Sequence, residues 1–452
     1  MELFEEATKH HMDGNYPEAE KCYDMLLSQN HDNAGLLATI GTLYLQTRRY
    51  GMSISLLHRA LSKGMVQSDV LSNLSLAYKG SGQTEKAIEY AEKACQQPSP
   101  SGEALANYSG FFTNAGTPDK SIELCERALK KDPEMVIAHW NLALALLEKG
   151  EWERAWDEHD WGLRRVKNAS LMRTDRQYGD TPYWDGTKGK NVVVYGEQGI
   201  GDEIMFVSML PDLLKDNGVV FECHKRLKTL FEHSFPGLPC YGTREDTQIE
   251  WFGKHDIHYR VSIGSLGKWF RRSAESFPGT PYLKAESAPK GEKFRVGISW
   301  TGGGGKQGRV ITRSVPLSWW LPILNNDVEL VSLQYTDCAA DIDLVEKQGY
   351  KIKQYDFMTD RNSDYYETAK VVKSCDLVIS VCTSVVHLAG ALGVPCWAMV
   401  PSKPAWRYGI SGGMRWYRSV RLYRQKDSWM PVIERVGYDL SELLKIKQEI
   451  VA

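Results

Sequence analysis

The chain has 452 residues, 42% of them hydrophobic and 25% charged, and a formal net charge of −2. That length implies two to four domains, each able to bury a core, and the near-neutral balance gives no global pull toward nucleic acid or an acidic partner. No run approaches the about 18 apolar residues of a membrane span. The acidic, amphipathic start at Met1–Ala7 does not read as a signal peptide, and nine scattered cysteines without a CxxC pair argue against a zinc knuckle or disulfide framework. Free thiols of this kind point to a reducing, cytoplasmic setting.

The first third repeats. Ala19, Ser53, Ala87, Ser121 and Ala155 recur every 34 residues. Gly14, Gly82, Gly116 and Gly150 keep the same lattice five residues earlier, with Arg48 in the remaining place. Tyr44, Tyr78, Phe112 and Leu146 form another row, and Ala60, Ala94 and Ala128 one more. Over about residues 1–165 this resembles some five tetratricopeptide repeats, paired helices whose small residues sit at tight crossings. Stacked pairs form a concave groove suited to a peptide or another subunit; the plainer alternative is a rigid spacer or a homodimer face. Trp140, Trp152, Trp156 and Trp161 make the fifth repeat aromatic-rich, which predicts that it docks onto the C-terminal part of the chain.

Residues 166–190 read as a connecting segment, including Tyr178–Gly186. A first α/β lobe is expected over 191–290. Asn191–Tyr195 reads as a strand, followed by the turn Gly196-Glu-Gln-Gly-Ile-Gly-Asp202, a helix over 203–215 and a strand at Val219–Cys223. Gly196, Gly199 and Gly201 loosely suggest a dinucleotide fingerprint, with Glu222 where a ribose-binding acid would sit, but their order is wrong. Asp202, an acid at a helix head, repels a pyrophosphate there and reads instead as a base, a substrate ligand or a helix cap. His255 and His258 are a candidate metal pair that lacks the further ligands such sites need; no metal site is expected.

A second lobe is expected over 291–452, with strands at Phe294–Trp300, Glu329–Leu333, Leu377–Val381 and Cys396–Val400. Alternating strands and helices imply parallel sheets with ligands at their carboxyl edges. Trp300-Thr-Gly-Gly-Gly-Gly-Lys306 is a loop leaving a strand, with Lys306, Arg309 and Arg313 close behind. Glycines admit a ligand to the backbone, and the cations suit phosphate. Thr383 and Ser384 stand where a helix N-cap belongs, before a helix over 385–392 ended by Gly393 and Pro395. Free N–H groups and the helix dipole make that turn an anion seat, with His387 about one turn in. The ordinary reading is a plain βα turn. Between Lys403 and Lys426 seven Lys/Arg and no acid alternate with Trp406, Tyr408, Trp416, Tyr417 and Tyr423. This strip suits a nucleic acid, the closing face of a nucleotide-sugar cleft, or stacking within the fold.

Taken together, Gly199-Ile-Gly-Asp202, Val331-Ser-Leu-Gln334, Ser380-Val-Cys-Thr-Ser-Val-Val-His-Leu-Ala-Gly390, Pro404-Ala-Trp-Arg407 and Arg421-Leu-Tyr-Arg-Gln425 resemble the GT-B glycosyltransferases of the heptosyltransferase-like (family 9-like) kind. Bacterial and phage members carry tetratricopeptide repeats in front of such a domain, a layout also similar to that of protein O-GlcNAc transferases. The resemblance implies a helical solenoid followed by two Rossmann-like lobes, the first one short. It implies an inverting, metal-independent transferase that takes a sugar from a nucleotide diphosphate, of UDP, GDP or ADP type, to a protein or glycan acceptor held partly by the repeats. No cofactor is implied beyond that donor. Asp202 matches the proposed base. Trp300, Lys306, Arg309, Arg313, Gln334, Thr383, Ser384 and His387 fall on the donor side; Gln198, Gly199, Gly201, Trp406 and Arg407 line the acceptor side of the cleft. Many relatives have Asp where this chain has Cys382, which implies a different donor choice. Two other readings compete: a non-catalytic repeat scaffold on a degenerate core, and a phage-type enzyme that glycosylates DNA.

Overall fold

A computed structural model describes residues 2–113, 115–164, 178–246, 248–302, 313–360 and 362–451. The chain forms two compact units, Met1–Leu146 and Leu147–Ala452.

The first unit is built from helix pairs: Glu2–Met12 with Tyr16–Gln29, Ala34–Gln46 with Tyr50–Ser62, Ser68–Gly80 with Thr84–Cys95, and Gly102–Ser109 with Pro118–Leu129. The row of small residues explains the pairing. Ala19, Ser53, Ala87 and Ser121 are fully buried, so nothing larger fits where the helices cross. Ser53 and Ser121 satisfy their hydroxyls on the backbone of the partner helix, at Gly41 O (2.8 Å) and Ser109 O (3.2 Å). The turn inside a pair is left-handed: φ is +78° at Gly14, +83° at Gly82 and +77° at Gly116, and Arg48 takes the same conformation at +60°. A further row went unread in the sequence. Asn73, Asn107 and Asn141, 34 residues apart, each reach back one repeat, to Thr42 Oγ1, Ser72 Oγ and Ala106 O.

The second unit holds two all-parallel sheets. The four-stranded sheet runs β3-β2-β1-β4, with β1 at Asn191–Tyr195, β2 at Gly218–Glu222, β3 at Cys240–Tyr241 and β4 at Tyr259–Ser262. The six-stranded sheet runs β10-β9-β8-β5-β6-β7. Its strands are β5 at Arg295–Ser299, β6 at Glu329–Ser332, β7 at Ile352–Lys353, β8 at Leu377–Val381, β9 at Cys396–Val400 and β10 at Val420–Arg424. Parallel sheets are covered on both faces, so their central strands are continuous apolar runs. Val192–Val194 and Val378–Ile379 are fully buried. Helix Met430–Val451 covers the larger sheet with Ile433, Val436 and Leu440.

Two expectations need correction. The helix expected over 203–215 begins at Ile200 and breaks into Ile200–Phe206, a tight turn at Val207–Met209 and Leu210–Leu213; Pro211 has no N–H to continue it. The described part of the connecting segment belongs to the smaller sheet. Trp184 N donates to Arg260 O and Arg260 N to Pro182 O, both at 2.9 Å, and Tyr183 bridges Arg260 in parallel. Helix Trp152–His159, the last helix of the expected fifth repeat, also packs within the second unit. There Trp156 donates to Arg271 O at 2.8 Å and packs edge-on against Phe206 and Trp406.

Candidate functional site

Two βα turns, one from each sheet, meet at their helix heads. After β1 the chain passes Gly196, Glu197 and Gln198, where Gln198 is left-handed at φ +59°, a strained conformation of the kind that gathers at ligand sites. It then enters helix Ile200–Phe206. After β8, Thr383 caps helix Ser384–Leu392 by accepting from Val385 N at 3.2 Å. A Cβ on Gly201 would lie 3.2 Å from Ser384 Cα and 3.3 Å from His387 Cδ2, so a side chain here would press on a close helix approach that glycine leaves unstrained. Ser384 Oγ is hydrogen-bonded to the Tyr365 hydroxyl at 2.9 Å. In an open parallel sheet, ligands lie outside the strand ends where the strand order reverses. In the larger sheet β5 stands between β8 and β6, so that place is the mouth formed by residues 300–302 and 382–384.

Asp202 sits at this junction with its two oxygens divided. Oδ2 accepts from Gly199 N at 3.4 Å, a helix-head cap, while Oδ1 is paired with Arg407. Both side chains are nearly covered, at 17% and 18% exposure. Below Asp202 lie groups that motif reading passed over. Glu197 is fully buried and accepts from Ser262 Oγ and from Gly264 N (2.9 Å). Burial pushes its carboxyl up against the pull of those two bonds, and Asp202 adds to the rise. Burial also holds His159 below its ordinary range, against the charges of Asp160 and Asp202. Glu203, next to Asp202 in the chain and paired with Arg244 at 2.6 Å, is raised to about 7 by burial. The sequence signal for Glu197 was its place in the turn two residues past the buried strand β1.

On the side of the larger sheet, Gly302 touches two candidates at once. A Cβ there would meet Arg313 Nε at 3.1 Å and Thr383 Cγ2 at 3.3 Å. Arg313 Nε donates to Gly302 O at 3.3 Å, and among the described residues no carboxylate pairs with it. Burial pushes the Cys382 thiol up to about 12, against Tyr408 and the charges of Arg313, Arg407 and Arg424. The charges of three guanidiniums therefore reach the position beside the Thr383 cap. Arg424 is committed to the carbonyls of Tyr408 (2.6 Å), Gly409 (2.9 Å) and Gly412 (3.1 Å), which holds the loop carrying Arg407.

Asp202, Gly201, Thr383, Ser384, Arg407 and Arg313 are thus gathered at one mouth, with Gly199 and Gln198 in the turn beneath. Other expected site residues are not in the cleft. Trp300 is fully buried in the core of the larger sheet and donates Nε1 to Asp341 at 2.7 Å. Gln334, also fully buried, accepts from Ser299 Oγ, Trp300 N and Thr301 N and donates to Thr301 O and Thr336. Its hydrogen-bonding capacity ties β5 to β6, so neither residue presents a face to a base or ribose. His387 is 3% exposed and bonded to the Tyr417 hydroxyl at 3.2 Å. Burial, reinforced by Arg407, holds it well below the usual histidine range, so it is a neutral packing group and brings no charge to a phosphate. Trp406 is interior, stacked on Phe206. Tyr408, Trp416, Tyr417 and Tyr423 are buried with it, so the basic–aromatic strip offers no stacking platform. Glu222 is buried and accepts from Tyr178 and Thr243, away from any ribose role. His255 and His258 are engaged separately, with Tyr241 and Asn191 N. Lys306 and Arg309 lie outside the described residues.

Residues 113–158 match the family model of the tetratricopeptide repeat. The N-terminal part carries tetratricopeptide repeats. Protein FlbA of Caulobacter vibrioides is 29% identical over 290 residues, a stretch that is 57% of this chain and 48% of that protein. The chain thus spans about half the length of the curated relative it matches. Among solved structures, MamA is 19% identical over 35% of this chain and 93% of its own, with a TM-score of 0.30. PilF of Pseudomonas aeruginosa is 15% identical over 37% of this chain and 77% of its own, with a TM-score of 0.33. No helix of the described residues is long and apolar enough to cross a membrane.

Proposed function

We propose that residues 147–452 form an inverting, metal-independent glycosyltransferase, and that the repeats hold part of a protein or glycan acceptor. The observation that carries this reading is the meeting of Asp202, at the head of one helix, with the Thr383-capped head of another beside Arg313 and Arg407. The likeness of the sequence motifs to heptosyltransferase-like enzymes supports it. The donor diphosphate lies at the N-terminus of helix Ser384–Leu392, where free N–H groups and guanidinium charge favour it. Asp202 takes the proton of the acceptor hydroxyl as that oxygen bonds to the anomeric carbon. The bond from that carbon to the phosphate oxygen breaks on the opposite face, and its electron pair leaves on the diphosphate, which the dipole and cations stabilise. By the family resemblance, Lys306 and Arg309 fall on the same phosphate side. Nine free thiols suit the reducing, cytoplasmic setting proposed for this chemistry.

The test is a thermal-shift screen against UDP-, GDP-, ADP- and CMP-sugars, followed by donor turnover. A ligand at a hundred times its Kd stabilises by about 2.7 kcal/mol, a readable shift, and Asp202→Asn should lower turnover by about 100-fold or more. A repeat scaffold on a non-catalytic core is the second reading, favoured by the existing hold of Arg407 on Asp202. Nucleotide binding without turnover for any donor would support that scaffold. The DNA-modifying reading loses its footing with the burial of the strip's aromatic side chains.

A further inference from the structure

Arg407 stands between two anions, one present and one proposed. Asp202 Oδ1 holds its guanidinium, and among the described residues this is its one carboxylate partner. Glu148, Lys149 and Arg415 line the same cavity as Arg407. The Nε of Arg407 is buried with no hydrogen-bond partner, and its charge bears on His387, Tyr408 and Tyr417. His387 and Cys382 flank the Thr383–Ser384 helix head, and the charge of Arg407 reaches both. Gly201, one residue before Asp202, lies against Ser384 and His387. The same guanidinium therefore holds the carboxylate, and its charge reaches the residues that flank the anion seat.

A carboxylate oxygen occupied by a guanidinium is not open to a substrate hydroxyl, and in Asp202 that oxygen is Oδ1. A diphosphate, with more charge and more acceptor oxygens, competes well for a bidentate donor. We infer that Arg407 is a donor-operated latch: it blocks Asp202 while the diphosphate seat is empty, and transfers to the diphosphate when the donor binds, which frees Asp202 to accept the proton of the acceptor hydroxyl. This inference rests on the donor-site reading above. The latch couples readiness of the base to presence of the donor, so the acid–base machinery is assembled only in the loaded site. Arg424, which pins the carbonyls of the loop carrying Arg407, is the positioning residue that keeps Arg407 within range of both partners.

The latch predicts a result that runs against simple loss of function. Calorimetric titration of the full chain with UDP, GDP and ADP is compared for wild type, Asp202→Asn, Arg407→Gln and the double variant. Asp202→Asn, which releases Arg407, should tighten binding of whichever diphosphate the wild type takes by about three- to tenfold. In the Arg407→Gln background the same change should alter affinity by less than about twofold. Equal tightening in both backgrounds would mean that Asp202 merely repels the ligand, and no tightening in the wild-type background would mean that no latch exists; either overturns the inference while leaving the donor site intact. No diphosphate binding to the wild type overturns the donor-site reading and the latch with it. Arg407→Lys provides a second variant, should Arg407→Gln fail to fold. It keeps one positive charge but loses the planar fork, and should bind more weakly than wild type while retaining part of the Asp202→Asn tightening.

Discussion

His387 shows how far a single side chain can be taken from the role its position suggests. Its imidazole is buried, bonded to Tyr417 and depressed well below its ordinary value by burial and by Arg407. The unfolded chain takes up a proton near pH ~6.5 that the folded chain refuses. Its contribution to stability is therefore complete above that pH and is lost as the pH falls. His159 and His224, the latter lowered to about 4 by burial, act with the same sign. Glu203, raised to about 7, acts oppositely: its contribution is complete at low pH and is lost as the pH rises toward 7. Denaturant midpoints at about pH 7.5 and about pH 5 should show wild type losing more stability on acidification than His387→Gln. Equal losses would refute a neutral, buried His387. The capping role of Thr383 was legible from type and position alone, because caps are local chemistry. The interior roles of Trp300 and Gln334 were not. Both sit at strand ends, and which way a strand-end side chain turns depends on neighbours such as Asp341 and Thr301, distant in the sequence.

At the scale of elements, the glycine at 201 and the arginine at 48 are opposite cases. Gly201→Ala places a Cβ against backbone at Ser384, 3.2 Å away, where no flexible side chain can yield. It should cost about 1–3 kcal/mol and lower the melting temperature, whereas the same change at exposed Gly413, where a Cβ meets nothing, should not. An unchanged melt for Gly201→Ala would deny the close helix contact. Arg48 holds a left-handed turn that the other repeats assign to glycine, so Arg48→Gly should stabilise the repeats by about 0.5–1 kcal/mol. Destabilisation would show that the Arg48 side chain makes a contact worth more than the strain. Strands β1, β8 and β9 were readable to the residue because burial on both faces makes them unbroken apolar runs. β3 and β7 are two residues long and leave no period to read. β10 alternates buried Val420 and Tyr423 with exposed or half-exposed cations, so its basic residues masked a strand as a charged strip.

At the scale of the whole molecule, the repeats were legible from periodicity alone, and the number of lobes from alternating strands and helices. The junction was not, because the fifth repeat's helix keeps the repeat lattice while serving the α/β unit. Trp156 is buried against Phe206 and Trp406, and Glu153 and Asp157 pair with Arg272. A chain of residues 147–452 should therefore be soluble and melt cooperatively. A chain of 166–452, which removes Trp156, should be destabilised by about 3–5 kcal/mol and prone to aggregate; identical melts would return the helix to the repeats. Whether the mouth where Asp202 meets the Thr383 helix transfers a sugar is tested by release of nucleoside diphosphate from a panel of nucleotide sugars, compared for wild type and Asp202→Asn. Wild type should release nucleoside diphosphate from one donor class, and Asp202→Asn should be slower by about 100-fold or more with that donor still bound; equal release by the two proteins would contradict a catalytic Asp202.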